Sequence, residues 1–318
     1  MESGILIIGG TRMRLGIHSF STGPTFEEQI QVAVDAERHG LDSCWYGQIF
    51  GHDALTLAAL AGRVTQRIEL GTAVAQTHSR HPFHMAIQAV TVQAAAEGRF
   101  SLGIGPSHKV VVQDMLGLPY DQAAAHVREY LSVLIPLLND GRVVYGGEKY
   151  RVAGALQIPD AKSCPVLISG LAPLMLRLAG EVADGTILAW AGPKTIETFY
   201  VPGVNAAAAA VGRPRPRVCA LAPVAVTDDV AAAREQAATT FEMYGRLPNY
   251  QRVLAREGVT SPAELAIVGD EASVERQLRE VAAAGATDLI AWVYTVGADK
   301  ASSLGRTWAL LGGLAGKI

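Results

Sequence analysis

From Met13 onward the chain repeats one pattern: a short apolar or β-branched run, then a longer segment rich in Ala, Leu and Glu. Such alternation is what βα units leave in a sequence, and it commits the chain to parallel strands joined by crossover helices. The runs fall at residues 15–20 (LGIHSF), 43–47 (SCWYG), 68–74 (IELGTAV), 100–105 (FSLGIG), 165–169 (PVLIS), 185–190 (GTILAW), 217–226 (RVCALAPVAV) and 287–293 (TDLIAWV). Eight is the number that closes a (β/α)8 TIM barrel, which is the expected α/β fold.

The intervening segments carry helix signals. Phe26 to His39 follows Thr25 and stops at Gly40, Pro82 to Glu97 opens on proline and stops at Gly98, and Ser273 to Ala284 stops at Gly285. Polar caps, proline in the first turn and glycine after the last are the usual helix boundaries. No Pro/Ser/Gly-rich linker divides the chain, so residues 13–318 are expected to form one domain, with residues 1–12 an N-terminal extension or tag. Two stretches exceed a minimal barrel: residues 140–160, with Gly146 and Gly147, and residues 239–269, an insertion after the seventh strand that holds Tyr244, Gly245, Pro248 and Tyr250. Insertions of this length are often lids or binding loops.

Composition narrows the function. Lys and Arg number 27 against 30 Asp and Glu, with no long basic block, so nothing draws the chain to a nucleic-acid backbone. No uncharged apolar stretch reaches the roughly 18 residues that cross a bilayer, and the short apolar run near the start precedes its basic residues instead of following them. A cytoplasmic protein with a small-molecule substrate is expected, bound to neither nucleic acid nor membrane. Cys44, Cys164 and Cys219 lie far apart with no Cys-x-x-Cys pair, which reads as three buried apolar residues, not a disulfide or zinc framework.

Barrel active sites lie at the C-terminal ends of the strands. His78, His81 and His84 follow the third strand, but Pro82 puts a helix start between them and no Asp, Glu or Cys lies among them, so no metal site is expected. Just before them, Gly71, Thr72 and Ala73 are small enough for a bulky ring to approach the backbone. The fourth strand runs into Gly105, Pro106, Ser107, His108 and Lys109, where Ser107 and His108 can hydrogen-bond a ligand. The fifth ends in Ser169 and Gly170 before Pro173, a fitting start for a helix whose free amides bind phosphate. Trp45, Tyr46 and Gln48 after the second strand and Trp190 after the sixth bring aromatic and amide groups to the same mouth. G-x-S-x-G and paired strand-end carboxylates are absent. A site poor in acids and bases but rich in backbone contacts suits a protein that positions a reactive organic cofactor.

Taken together, GLDSCWYGQIFGHDALT, ELGTAVAQTHSRHP, GRFSLGIGPSHKVVVQDMLGLPY, SGLAPLMLRLAGEVADGTI and VGDEASVERQLREVAAAGATDLI resemble the bacterial luciferase-like oxidoreductases, a family of TIM barrels. The likeness is closer to the branch that uses the deazaflavin coenzyme F420, and it runs from Met13 to Val293. The resemblance implies a non-prolyl cis peptide at the end of the third strand, here Ala73 to Val74 after Thr72, backing the deazaflavin ring. It implies that the cofactor phosphate lies against Ser169, Gly170, Leu171 and Ala172, and that the cofactor's chain runs past Gly105, Pro106, Ser107 and His108.

One departure is informative. The sugar-phosphate dehydrogenases of the family carry an Asp-His pair after the second strand and a Glu after the fourth, where this chain has Gln48, Ile49 and His108. Hydride transfer between F420 and a small organic substrate is therefore expected in place of sugar-phosphate oxidation. His108, with Gln48, takes the catalytic role, and Trp45 and Trp190 hold substrate. Lys109, Arg80 and Lys194 are either contacts for an anionic tail or ordinary solvated cations. The alternatives are an FMN-dependent monooxygenase with a separate reductase, a non-catalytic cofactor-binding barrel, and an isomerase or lyase, which needs a strand-end Lys or paired carboxylates. A homodimer stays open.

Overall fold

The structure, a computed structural model, describes residues 12–20 and 23–318. The expected extension over residues 1–12 lies outside the described residues apart from Arg12, whose guanidinium pairs with Asp42.

Eight strands close on themselves: β1 (Arg14–Ser19), β2 (Ser43–Tyr46), β3 (Glu69–Thr72), β4 (Phe100–Gly105), β5 (Val166–Ser169), β6 (Gly185–Ala189), β7 (Arg217–Val226) and β8 (Asp288–Val293). Each pairs in parallel with the next, and β8 returns to β1 through a register running from Arg14↔Asp288 to Ile17↔Ala291. The result is the expected (β/α)8 barrel, at strand positions within a residue or two of those read from sequence, apart from β3, whose run stops short.

Helices cover the outside and side chains fill the inside, so both faces of a strand are buried. In β2 all four residues are buried. Trp45 turns inward, its indole N–H donating to the Ser43 hydroxyl at 2.8 Å, while Tyr46 turns outward and donates to the Gln29 carbonyl of α1 (Phe26–Arg38) at 3.2 Å. Helix α1 starts where Thr25 and Glu28 form a capping box, the Glu28 carboxylate accepting the Thr25 N–H at 2.7 Å, which satisfies amides the helix itself leaves open. Helix α2 (Ala54–Val64) is capped by Asp53, and α3 (Pro82–Ala95) has Pro82 in its first turn as expected. The three cysteines are free and buried, and no described helix is long and apolar enough to cross a membrane.

The N-terminal end of the barrel is closed by charge. Arg217 donates to Asp288 at 2.6 Å and to Glu69 at 2.8 Å, and Arg14 pairs with the same two carboxylates. Burial alone would raise the Asp288 carboxyl, but the hydrogen bond and charge of Arg217, with help from Thr287 and Arg14, hold it below its ordinary value. Above this layer the Arg217 guanidinium lies 5.7 Å from the centre of the Trp45 ring.

Both excursions expected from sequence exist. Residues 142–155 form an antiparallel hairpin after α4 (Ala123–Asp140). The insertion after β7 folds into helices Glu242–Arg246 and Pro248–Glu257, then a strand, Ile267–Gly269, that pairs with the outer end of β7. It is fastened to the chain after β6 by Glu257, whose carboxylate accepts the amides of Lys194 at 3.1 Å and Thr195 at 2.9 Å.

Candidate active site

The end of β3 builds one wall of a pocket at the barrel mouth. Here β3 and β4 approach so closely that a Cβ on Gly103 would lie 1.9 Å from the Thr72 carbonyl oxygen. The Thr72 hydroxyl bridges the gap, donating to the Gly103 carbonyl at 2.7 Å and accepting its N–H at 3.0 Å. The ladder then breaks. The Ala73–Val74 peptide is cis, as the resemblance implies, and pairing with β4 resumes at Ala75↔Ile104. Ala73 and Val74 are half-buried and line the pocket. Beside them, a Cβ on Gly105 would stand 2.9 Å from Val74 Cγ2 and 3.2 Å from Ser169 Cβ. Glycine there lets the ends of β3, β4 and β5 pack closely together.

The opposite wall is aromatic. Trp190, immediately after β6, packs against Phe241, Tyr244 and Trp292, with ring centres 4.8, 4.9 and 6.2 Å away. It adopts a left-handed φ of 64°, uncommon for a bulky residue and held only where the surroundings demand it. Tyr244 and Tyr250 reach the pocket from the insertion, which therefore supplies part of its wall. His108 and Ser107 stand between the two walls, His108 with its ring 5.8 Å from Tyr250 and Ser107 at φ 63° with its carbonyl held by the Tyr120 hydroxyl at 3.0 Å. Burial lowers the His108 pKa below its ordinary value, so the imidazole is neutral at pH 7.

Several expected residues stand elsewhere. Trp45 is fully buried inside the barrel among Leu167, Ile187, Cys219 and Leu221 and does not line the pocket. The bulky ring that Gly71 admits is Trp45's own, since a Cβ at Gly71 would lie 2.2 Å from it. Thr72 is equally buried, with its hydroxyl committed to Gly103, so it supports the wall from behind without facing a ligand. Gln48 does line the pocket, but its amide is engaged at both ends, donating to Asp53 at 3.3 Å and accepting from Arg80 at 3.2 Å. An amide so held is a fixed dipole; it does not titrate. Gly105, Pro106, Gly170, Leu171 and Ala172 do not line the pocket, whereas their neighbours Ser107, His108 and Ser169 do. Ala172 precedes α5 (Pro173–Glu181) without a side-chain cap, so the first amides of α5 have no side-chain acceptor there.

The three histidines after β3 serve separate ends. His81 caps α3, its Nδ1 accepting the Phe83 N–H at 3.2 Å, His84 is exposed in the first turn, and His78 stacks 3.9 Å from His126. Of the cations weighed for an anionic tail, Arg80 pairs with Asp53, Lys194 reaches the Glu257 carbonyl at 3.4 Å, and Lys109 is exposed.

His18 was not expected. It sits near the end of β1, lines the pocket, approaches the Ala73 carbonyl at 3.4 Å through Nε2, and lies 5.0 Å from Trp292. The signal lay in LGIHSF, where a lone titratable residue stands near the C-terminal end of an otherwise apolar strand. Burial drives its pKa down to about 4, the contact with Ala73 only partly offsetting this. A base that is neutral when folded but protonates near pH 6.5 when unfolded makes the folded state less stable as pH falls from 6.5 towards 4. His18→Gln is expected to remove about 3 kcal/mol of that acid-side loss, read as a flatter dependence of urea stability on pH between pH 7 and 4.5. His126, also lowered to about 4, keeps some slope, and an unaltered slope would sink the assignment.

With this geometry in view, the comparisons with known proteins are specific. The family model described as luciferase-like monooxygenase matches residues 1–297, and the chain belongs to that family. Among its relatives, a putative coenzyme F420-dependent oxidoreductase of Mycobacterium tuberculosis is 28% identical over 225 residues, 65% of each chain, so the match spans a little under two thirds of that relative. The 5,10-methylenetetrahydromethanopterin reductase of Methanolobus tindarius is 28% identical over 81% of this chain and 78% of its own. In three dimensions the coenzyme F420-dependent tetrahydromethanopterin reductase of Methanopyrus kandleri superposes with a TM-score of 0.80 at 23% identity, covering 94% of this chain and 97% of its own. The oxygenating constituent of a Pseudomonas putida 3,6-diketocamphane monooxygenase, in complex with FMN, superposes at 0.74 with 18% identity, covering 96% and 97%. These last two likenesses establish the shared barrel.

Proposed function

We propose that this chain is a coenzyme F420-dependent oxidoreductase that transfers a hydride between the deazaflavin and a small organic substrate. The observation that carries the reading is the chemical character of the pocket: an apolar wall at Ala73 and Val74, an aromatic wall of Trp190, Tyr244, Tyr250 and Trp292, and two neutral imidazoles. Such a lining binds and orients; the bond chemistry then belongs to a cofactor. F420-dependent relatives in the same family support this choice of cofactor.

The residues present fit the group. The missing Cβ at Gly105 lets Val74 and Ser169 pack close against it, which holds Ala73 and Val74 at the pocket wall, where a planar ring can lie on them. The start of α5 after Ser169, Gly170, Leu171 and Ala172 offers uncapped amides to a phosphate, and Ser107 and His108 border the path between them. When bound, reduced F420 supplies a hydride from C5 of its deazaflavin ring. His108 carries the proton that must move with it: its neutral imidazole takes one up when an alcohol is oxidised and returns it when a carbonyl is reduced. Trp190 and the aromatic residues around it exclude water from the reacting face.

Titration with F420 and with FMN, each followed by its own absorbance, tests the reading; tight binding of F420 over FMN is expected, and the reverse preference overturns it. His108→Ala is expected to slow turnover about 100-fold or more while changing the F420 dissociation constant less than about threefold, since an interaction made in the transition state appears in kcat. An unchanged rate rules out His108 as the proton carrier.

A further inference from the structure

The two walls of the pocket differ in one respect that bears on what it accepts. Buried polar atoms in folded proteins almost always find a partner, yet the indole N–H of Trp190 has none, although the residue is 1% exposed and lines the pocket. An indole N–H can only donate, so the missing partner is an acceptor. No Asp, Glu, Lys or Arg stands among the described lining residues. Arg80, whose guanidinium touches the lining residue Gln48, is taken by Asp53, and His18 and His108 are both held neutral. A carboxylate or phosphate on the reacting part of a substrate would find no countercharge there, and burying an unpaired charge is strongly unfavourable.

We infer that the site, taken with the F420 reading above, accepts an uncharged planar carbonyl compound, whose oxygen receives the Trp190 indole N–H while its body stacks among Trp292, Tyr244 and Phe20. The balanced step is reduction of that carbonyl to an alcohol by a hydride and a proton, or the reverse. Trp190, a lining residue with an unpartnered donor, is thereby specificity-determining.

The probes are acetophenone, ethylbenzene and benzoate: a neutral ketone, its counterpart without oxygen, and an anion of similar size. Ligand-detected NMR titrations use the full chain with and without F420, so that failure of cofactor binding is seen separately from failure of substrate selection. The wild type is expected to bind acetophenone at least tenfold more tightly than benzoate, an ordering that needs no variant. Trp190→Phe keeps an aromatic ring but removes the donor. It is expected to weaken acetophenone about five- to tenfold, as loss of one hydrogen bond does, and to leave ethylbenzene and F420 binding unchanged. Benzoate binding as well as acetophenone overturns the inference. So does a Trp190→Phe variant that weakens ketone and hydrocarbon equally or loses its fold without selective effect, or a wild type that binds no ketone.

Discussion

Arg217→Met is expected to lower the unfolding free energy by about 3–5 kcal/mol, because it leaves the buried Asp288 and the half-buried Glu69 without their main countercharge. The methionine keeps a stem of similar length, so the loss is one of charge more than of volume. The pH dependence gives a second readout. In the native protein the Asp288 carboxyl is held below its ordinary value, so its contribution is present above the unfolded value of about 3.9 and is lost as pH falls through the lower folded value. Without Arg217 the burial that raises this carboxyl is no longer outweighed, and its contribution to the slope of stability against pH weakens or reverses sign between about pH 4 and 6. Urea denaturation across that range measures both effects. A loss under about 1 kcal/mol with an unaltered slope would mean that the layer at the bottom of the barrel contributes little.

Two glycines two residues apart within β4 should fail in different ways when replaced by alanine. At Gly103 the new Cβ would meet a backbone oxygen, that of Thr72, at 1.9 Å, and neither strand can yield without losing the hydroxyl bridge. Gly103→Ala is expected to cost about 3 kcal/mol, the upper part of the usual range for overpacking. At Gly105 the nearest atoms are the Val74 methyl and Ser169 Cβ, at 2.9 and 3.2 Å, and a side chain can shift. Gly105→Ala is expected to keep stability within about 1 kcal/mol of the native chain and to weaken F420 binding about tenfold by reshaping the wall at Val74. Thermal melts paired with absorbance titrations separate the two. Equal loss of stability in both variants would show that Gly105 serves packing alone.

The barrel was legible because its strands are runs of apolar and β-branched residues bounded by glycine-stopped helices, a pattern set by local physics. The cis bond at Ala73–Val74 was legible only through the resemblance, since nothing in two small residues announces it. Trp45 and Thr72 were misplaced for a physical reason. With helices outside and a filled interior, both faces of a strand are apolar, so sequence does not say which residues point up into the mouth and which pack below it. The same ambiguity hid His18, whose role follows from its position next to Ala73 and Trp292, contacts made across 55 residues of chain in one case and across the closure of the barrel in the other. The insertion after β7 was visible as excess length, but that Tyr244 and Tyr250 would meet Trp190 and His108 depended on how it folded back.

The two walls of the pocket have separate origins in the chain. The wall at Ala73 and Val74 follows directly on a strand so tightly fitted to its neighbour that a methyl group at Gly103 would strike the Thr72 carbonyl. Much of the facing wall comes from residues 241–250, an excursion that supplies no strand of the closed ladder. A change in residues 241–250 therefore alters one face of the pocket without touching the strand packing that holds the other.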